Sequence, residues 1–335
     1  MTNLVMSILT IMISFITSLI IGYLIIPLLK KFKLNQQLNR YLEIQHKDKS
    51  STPTMGGLIF ILSTLFTLFV IPNQISTNYI IILFVFISYF LIGFIDDFLI
   101  IIKKNNKGLS SSHKFIMQIV VAIIFFYLFM KADNEPLLWI HTLGIKKNIG
   151  VFYGVFILLV LTASSNAVNL TDGLDGLAAG LSLISFLTFG LLSINAGWLE
   201  GYIEISYFSF ALVGSLLGFL VYNSNPARVF MGDTGSLCLG ASLGAIAILT
   251  RHEILLLIIG IAFVIETSSV ILQILFYKLF KKKIFKMTPI HHTFELMGYK
   301  ENLIVRWFWI IGLIASMISL IFGIVIWQKN KNIIY

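Results

Sequence analysis

The chain has 335 residues, of which 58% are hydrophobic, 14% aromatic and only 12% charged, with a mean hydropathy of +0.93. Soluble domains carry about 25% charged residues, so a cytosolic globular enzyme, a disordered chain and a nucleic-acid-binding module are excluded together. The net charge of +9 fits the cytoplasmic loops of a membrane protein, and the single Cys238 leaves no intrachain disulfide and no multi-cysteine metal site.

A helix needs about 20 apolar residues to cross the hydrocarbon core. In chain order, about ten runs meet that need, near 4–29, 55–72, 78–96, 114–131, 150–167, 176–194, 203–221, 236–250, 254–278 and 303–327. The first is too long for a signal peptide and lacks a basic start or a small-residue cleavage site, so it stays as a helix. The predicted fold is all-α: a single integral membrane domain over 1–335, polytopic, with about ten transmembrane helices.

Orientation follows the positive charges. One set of loops carries Lys30, Lys31, Lys33, Arg40, Lys47, Lys49, Lys103, Lys104, Lys107, Lys114, Arg228, Lys278, Lys281, Lys282, Lys283, Lys286 and Lys300. The opposite loops and the C-terminal tail carry only Lys131, Lys146, Lys147, Arg251, Lys329 and Lys331. The first set is predicted to be cytoplasmic, which puts both termini on the extracytoplasmic side. Asp96, Asp97, Asp172, Asp175 and Asp233 then fall on the cytoplasmic face, drawn from three separate loops. Carboxylates at a membrane are costly and usually functional, so they read as one assembled site. Glu266, deep in the 254–278 run, is expected to be structural; a transporter would use such a group near the midplane.

Four stretches carry the chemistry. Asp96-Asp97 ends an apolar run. Adjacent carboxylates repel unless a cation or proton lies between them, and magnesium is commonly held by one or two carboxylates plus substrate phosphates. The bland alternative is a polar helix end. In NAVNLTDGLDGL (166–177), Asn166, Asn169, Asp172 and Asp175 recur every third residue along one drifting helical face. Gly173 and Gly176 leave room for a ligand or a second backbone. Such a ladder suits a sugar, a nucleotide or a hydrated cation, and the cytoplasmic placement removes the glycosylation reading of Asn169-Leu170-Thr171.

In NSNPARVFMGDTGS (223–236), Gly232, Gly235 and Ser236 precede an apolar run and are expected to offer backbone N–H groups to a phosphate. Asp233 beside them is placed to hold a shared metal, and ordinary N-capping by Asp233, Thr234 or Ser236 is the alternative. In KMTPIHHTFEL (286–296), His291 and His292 lack zinc spacing, and hydrogen bonding to an anionic substrate is expected. The nearby Lys281–Lys283 run suits anionic membrane lipids equally well. Gly56-Gly57, Gly176–Gly180, Gly214–Gly218 and Gly240–Gly244 read as helix contacts.

Together these residues resemble the polyprenyl-phosphate N-acetylhexosamine-1-phosphate transferases. The resemblance covers nearly the whole chain in order: TPTMGG (52–57), IDD (95–97), NAVNLTDGLDGL, PARVFMGDTGS (226–236), ETSSVILQ (266–273) and MTPIHHTFEL (287–296). TPTMGG, FMGDTGS and PIHH-FEL resemble the muramoyl-pentapeptide branch rather than the GlcNAc-using one.

The resemblance implies ten helices, a homodimer, a bacterial plasma-membrane location and a cytoplasmic-face active site using Mg2+. The implied substrates are UDP-MurNAc-pentapeptide and undecaprenyl phosphate, and the implied products are lipid I and UMP. It implies that Asp233 is a metal ligand and that Asp96 and Asp97 place metal and lipid phosphate. Asn166, Asn169, Asp172 and Asp175 line the nucleotide and diphosphate site by the same analogy. Lys49, Asn223, Gln273, His291 and His292 hold the remaining substrate groups.

Three positions depart from the family pattern. Ile100 stands where a lysine is usual, with Lys103 and Lys104 one turn further on as its replacements. Thr293 stands in place of a third histidine, and Ser51 in place of a glycine. The competing expectations are a GlcNAc-1-phosphate transferase for a surface glycan, a proton-coupled transporter built on Glu266, and an inactive scaffold homologue.

Overall fold

A computed structural model describes residues 3–32, 52–71, 74–103, 108–140, 145–194, 196, 199 and 201–334. Its helices are α1 (Asn3–Lys31), α2 (Gly57–Val70), α3 (Thr77–Lys103), α4 (Ser111–Lys131), α5 (Phe152–Thr171), α6 (Leu177–Ile194) and α7 (Tyr202–Asn223). They continue as α8 (Asp233–Leu249), α9 (Glu253–Ile259), α10 (Ile261–Phe280), α11 (Ile290–Leu296) and α12 (Glu301–Ile334). Among the described residues, eight helices are long and apolar enough to cross a membrane, and α2 and α8 are shorter apolar helices. The all-α, polytopic expectation is borne out.

Two details differ from the sequence expectation. The 254–278 run is two helices, because the chain leaves helical geometry at Gly260 (φ −90°, ψ 20°), a poor helix former. Between α4 and α5 lies a small antiparallel hairpin, β1 (Leu137–Ile140) and β2 (Ile145–Asn148), whose four-residue strands are too short for a clear alternation. Arg251, after α8, fastens it: Nη1 donates to the Leu137 carbonyl at 3.0 Å and to the Tyr153 hydroxyl at 2.9 Å.

The centre of the bundle is α8, every residue of which from Thr234 to Leu249 is buried. At 17 residues it spans only ~26 Å, less than the ~30 Å hydrocarbon core. Its first residue therefore lies below the end of the 27-residue α3, which packs beside it. That recess is the cleft. Close packing depends on absent side chains: a Cβ on Gly57 would fall 2.5 Å from the Gly235 nitrogen, and one on Gly93 would strike the Asp233 carbonyl.

Small polar residues join α1, α2 and α7, as they do where no hydrophobic force draws helices together in lipid. Ser18 Oγ donates to the Ser215 carbonyl at 2.8 Å, Thr17 and Ser63 hydroxyls meet at 2.7 Å, and Thr64 meets Ser215 at 2.9 Å. Gly214 lies against Ser14, Gly218 against Ser18 and Gly22 against Tyr222, so α1 and α7 run parallel. In the same way α12 runs parallel to α6, with Gly312 against Leu181 and Gly323 against Leu192. The start of α1 and the end of α12 thus share the end of the bundle opposite Asp233.

Gly93→Ala is expected to force α3 off the first turn of α8 and to cost about 1–3 kcal/mol, as overpacking does. Thermal unfolding in detergent measures this, and an unchanged midpoint would show that the two backbones do not touch.

Candidate active site

The carboxylates converge on the first turn of α8. Asp97, six residues before the end of α3, is 5% exposed and spends both oxygens on that turn. Its Oδ1 accepts the Asp233 N–H at 3.2 Å, and its Oδ2 accepts the Thr234 N–H at 2.9 Å and the Thr234 hydroxyl at 2.6 Å. The residue at the N-cap is Gly232, which has no side chain to do this. The N–H groups of Gly235 and Ser236 bond to the Gly232 carbonyl at 3.1 and 3.0 Å. This corrects the expected phosphate-binding turn: the anion at this helix terminus is the protein's own Asp97, and none of Asp233, Thr234 and Ser236 serves as its cap.

Asp233 and Asp96 share a cation. Lys114 Nζ lies 2.8 Å from Asp96 Oδ2 and 2.8 Å from Asp233 Oδ2. The free sides are held as well: Asp96 Oδ1 accepts the Leu109 N–H at 2.6 Å, and Asp233 Oδ1 accepts Asn169 Nδ2 at 2.8 Å. Asn169 reaches Ser236 Oγ at 2.8 Å too, which ties the end of α5 to the start of α8.

Lys114 is the residue that motif reading missed, since it passed as one loop charge among many. Its position held a clue. It sits in the first turn of α4, beginning after the Ser110 cap, where the helix dipole disfavours a cation unless an anion faces it. Lys103, the described member of the expected pair, is exposed; Lys104 and Lys49 lie outside the described residues.

Asp172, just past α5, is half-buried in the same cleft. Loss of hydration and then the charges of Asp233 and Asp97 push its carboxyl up to about 8. The next residue, Gly173, lies under the His291 imidazole, where a Cβ would collide with Nε2. His291 is fully buried with Nδ1 3.1 Å from Glu266 Oε2, while His292 Nδ1 lies 2.7 Å from Glu295 Oε2. Glu266 is therefore a buried partner of the histidine loop, as expected of a structural glutamate. Thr293 fills the third position by bonding back to Met287: its hydroxyl donates to the Met287 carbonyl and accepts the Met287 N–H.

The remaining candidates act within the walls. Asp175 Oδ2 accepts Asn225 Nδ2 and the Ala227 N–H, both at 3.1 Å. Asn223 accepts the Gly176 N–H at 3.1 Å and donates to the Val229 carbonyl at 2.9 Å. Gln273 uses both ends of its amide on the backbone of Ile284 and Phe285. Asn166 is exposed, with its amide donating to the Thr162 carbonyl of its own helix.

Residues 79–251 match the family model described as glycosyl transferase family 4. Over 317 residues the chain is 45% identical to the phospho-N-acetylmuramoyl-pentapeptide-transferase of Staphylococcus carnosus, covering 93% of this chain and 98% of that one. It is 42% identical to the enzyme of the same name from Bacillus subtilis over 314 residues, covering 93% and 96%. This chain belongs to the phospho-N-acetylmuramoyl-pentapeptide-transferase family. The Halalkalibacterium halodurans relative, 43% identical over 315 residues, bears that name too. The branch expected from TPTMGG, FMGDTGS and PIHH-FEL is borne out, and the GlcNAc-using and transporter readings are not favoured.

Two outcomes follow from the charges in this family member. Lys114→Met leaves Asp96 and Asp233 facing each other without a cation and is expected to cost about 3 kcal/mol at pH 7. Denaturant unfolding at pH 7 and pH 4 checks this, because protonation of the carboxylates should shrink the difference at the lower pH. Asp172 acts in the opposite sense. Its folded-state affinity for a proton exceeds that of an unfolded aspartate, so its contribution to stability falls as pH rises from about 4 to about 8. Without divalent cations, Asp172→Asn should flatten that part of the profile, and parallel melting curves for variant and parent would refute it.

Proposed function

We propose that the chain transfers phospho-MurNAc-pentapeptide from UDP-MurNAc-pentapeptide to undecaprenyl phosphate, giving lipid I and UMP in peptidoglycan synthesis. Family membership over nearly the whole chain supports the reaction. The observation that carries the chemistry is Lys114 held between Asp96 and Asp233 at the recessed end of α8. The bacterial plasma membrane, a cytoplasmic-facing cleft, ten spans, outward termini and a homodimer complete the proposal. The cations Lys30, Lys31, Lys103, Arg228 and Lys300 stand at the helix ends or in the loops on the side of the cleft, in agreement with that orientation.

The reaction needs little covalent help from the protein. A phosphate monoester has a second pKa near 6, so the lipid phosphate is mostly dianionic at neutral pH and no strong base is required. One of its oxygens bonds to the β-phosphorus of the donor as the bond from that phosphorus to the bridging oxygen breaks, and the electron pair leaves with UMP. The protein's task is to position the two phosphates and offset their charge.

Lys114 offsets charge at the reacting centre, and Asn169 and Asp96 fix the groups around it. Asp97 works indirectly, because both of its oxygens hold the turn that presents Asp233. Asp172, His291, His292, Asn166, Lys49 and Lys104 remain substrate-binding candidates; Asp175, Asn223 and Gln273 shape the loops that carry them.

Magnesium fits the donor set. Asp96 and Asp233 are hard oxygen ligands, and the ammonium already drawn between them marks a place where positive charge is favoured. Asp233 and Asp96 would hold Mg2+, and the ion would offset the negative charge of the diphosphate.

Purified protein is to be incubated with undecaprenyl phosphate, Mg2+ and either UDP-MurNAc-pentapeptide or UDP-GlcNAc. UMP release and a lipid-linked product are expected with the muramoyl donor only, with loss of at least about 100-fold in Asp233→Asn and on chelation. Turnover with UDP-GlcNAc alone would move the chain to the sister reaction.

A further inference from the structure

Glu301, the first residue of α12, belongs to none of the motifs above. Its two oxygens are divided between two loops. Oε1 accepts the backbone N–H of Asp175 at 2.7 Å, in the turn that follows α5. Oε2 accepts Asn225 Nδ2 at 2.8 Å, in the segment that follows α7. The same Asn225 nitrogen donates to Asp175 Oδ2 at 3.1 Å, so one amide sits between two carboxylates.

Asp175 is three residues from Asp172, and the segment carrying Asn225 leads directly into Asp233. Through the backbone N–H and carboxylate of Asp175, the three residues form a closed set of hydrogen bonds joining the 172–176 turn, the 223–232 segment and the start of α12. In these two segments Gly173, Ser224, Asn225 and Arg228 are exposed, while Leu174, Gly176 and Val229 are buried, with Gly176 packed against Leu220 and Trp309. The exposed amide, hydroxyl, guanidinium and backbone groups suit a soluble sugar nucleotide. A polyprenyl chain must instead enter from the apolar flanks of the bundle.

We infer that Glu301 is a positioning residue for the donor, holding the 172–176 turn against the 223–232 segment at the spacing that admits a nucleoside phosphate. The inference rests on the transferase reading, and it assigns α12 a part in recognising one substrate and not the other. A purely structural Glu301 would affect both substrates alike. A donor-positioning Glu301 separates them.

The test uses the full chain in detergent, comparing the parent with Glu301→Gln, Glu301→Ala and Asn225→Ala. Steady-state rates are measured with each substrate varied in turn, and UMP binding is measured by calorimetry. In Glu301→Gln one of the two charge-assisted bonds is lost whichever way the amide turns. Donor KM and UMP Kd are expected to rise about tenfold, with acceptor KM and kcat within about twofold. Asn225→Ala should move the same constants.

An equal rise in both KM values, a loss confined to kcat, or unchanged constants overturns the inference. Should Glu301→Ala fail to fold, the near-isosteric Glu301→Gln still decides. A parent enzyme inactive with the muramoyl donor overturns the transferase reading separately. UMP binding then decides the inference by itself: weakening in Glu301→Gln supports it, and unchanged affinity, or no binding by the parent, ends it.

Discussion

A helix that begins inside a membrane bundle has backbone N–H groups that water cannot reach, and they must find partners within the protein. In α8 the partner comes from a different helix. Asp97 of α3 bonds to the first two N–H groups and to the Thr234 hydroxyl, so one carboxylate both completes α8 and fastens it to α3. Asp233 is the residue so fixed. Its neighbours follow from that placement, because a second and a third carboxylate in the same recess need a cation, and Lys114 at the start of α4 is within reach of both.

The packing serves the same end. An acidic cluster is costly at a membrane boundary unless each oxygen has a donor, and here the donors come from α4, α5, α8 and the segment before α4. They can do so only because the helices approach closely around α8, at Gly57, Gly93 and Gly235. A side chain at any of these points would separate backbones that now touch, and donors placed at 2.8 Å would lose their acceptors. Stability and site geometry are therefore one constraint. At the far end of the bundle Arg251 plays a simpler part, holding the β-hairpin to Tyr153.

Much of this was legible in the sequence, in proportion to how local the signal is. The apolar runs follow from composition, and Asp96, Asp97, Asn169, Asp172 and Asp233 stand out because polar groups at membrane boundaries have few reasons to be there. Glycines near a helix start suggested an anion site, and there is an anion, but it is Asp97. Local sequence shows that N–H groups are present and says nothing about which acceptor arrives from 136 residues away. Lys114 was lost for a related reason: among many basic loop residues, only its distance to two carboxylates distinguishes it. Gln273 and Asn223 resemble substrate ligands in sequence, yet their amides are bonded to neighbouring backbone.

The sequence by itself determined the family, the membrane class, the apolar helices and the set of acidic residues gathered at one end of them. Those depend on hydrophobicity, charge and spacing, which are properties of short segments. Tertiary structure decided which carboxylate caps, which one meets the lysine and which loops Glu301 joins. The physical reason is distance: hydrogen bonds and ion pairs act over about 3 Å, and only the packed fold brings residues far apart in the chain within that range.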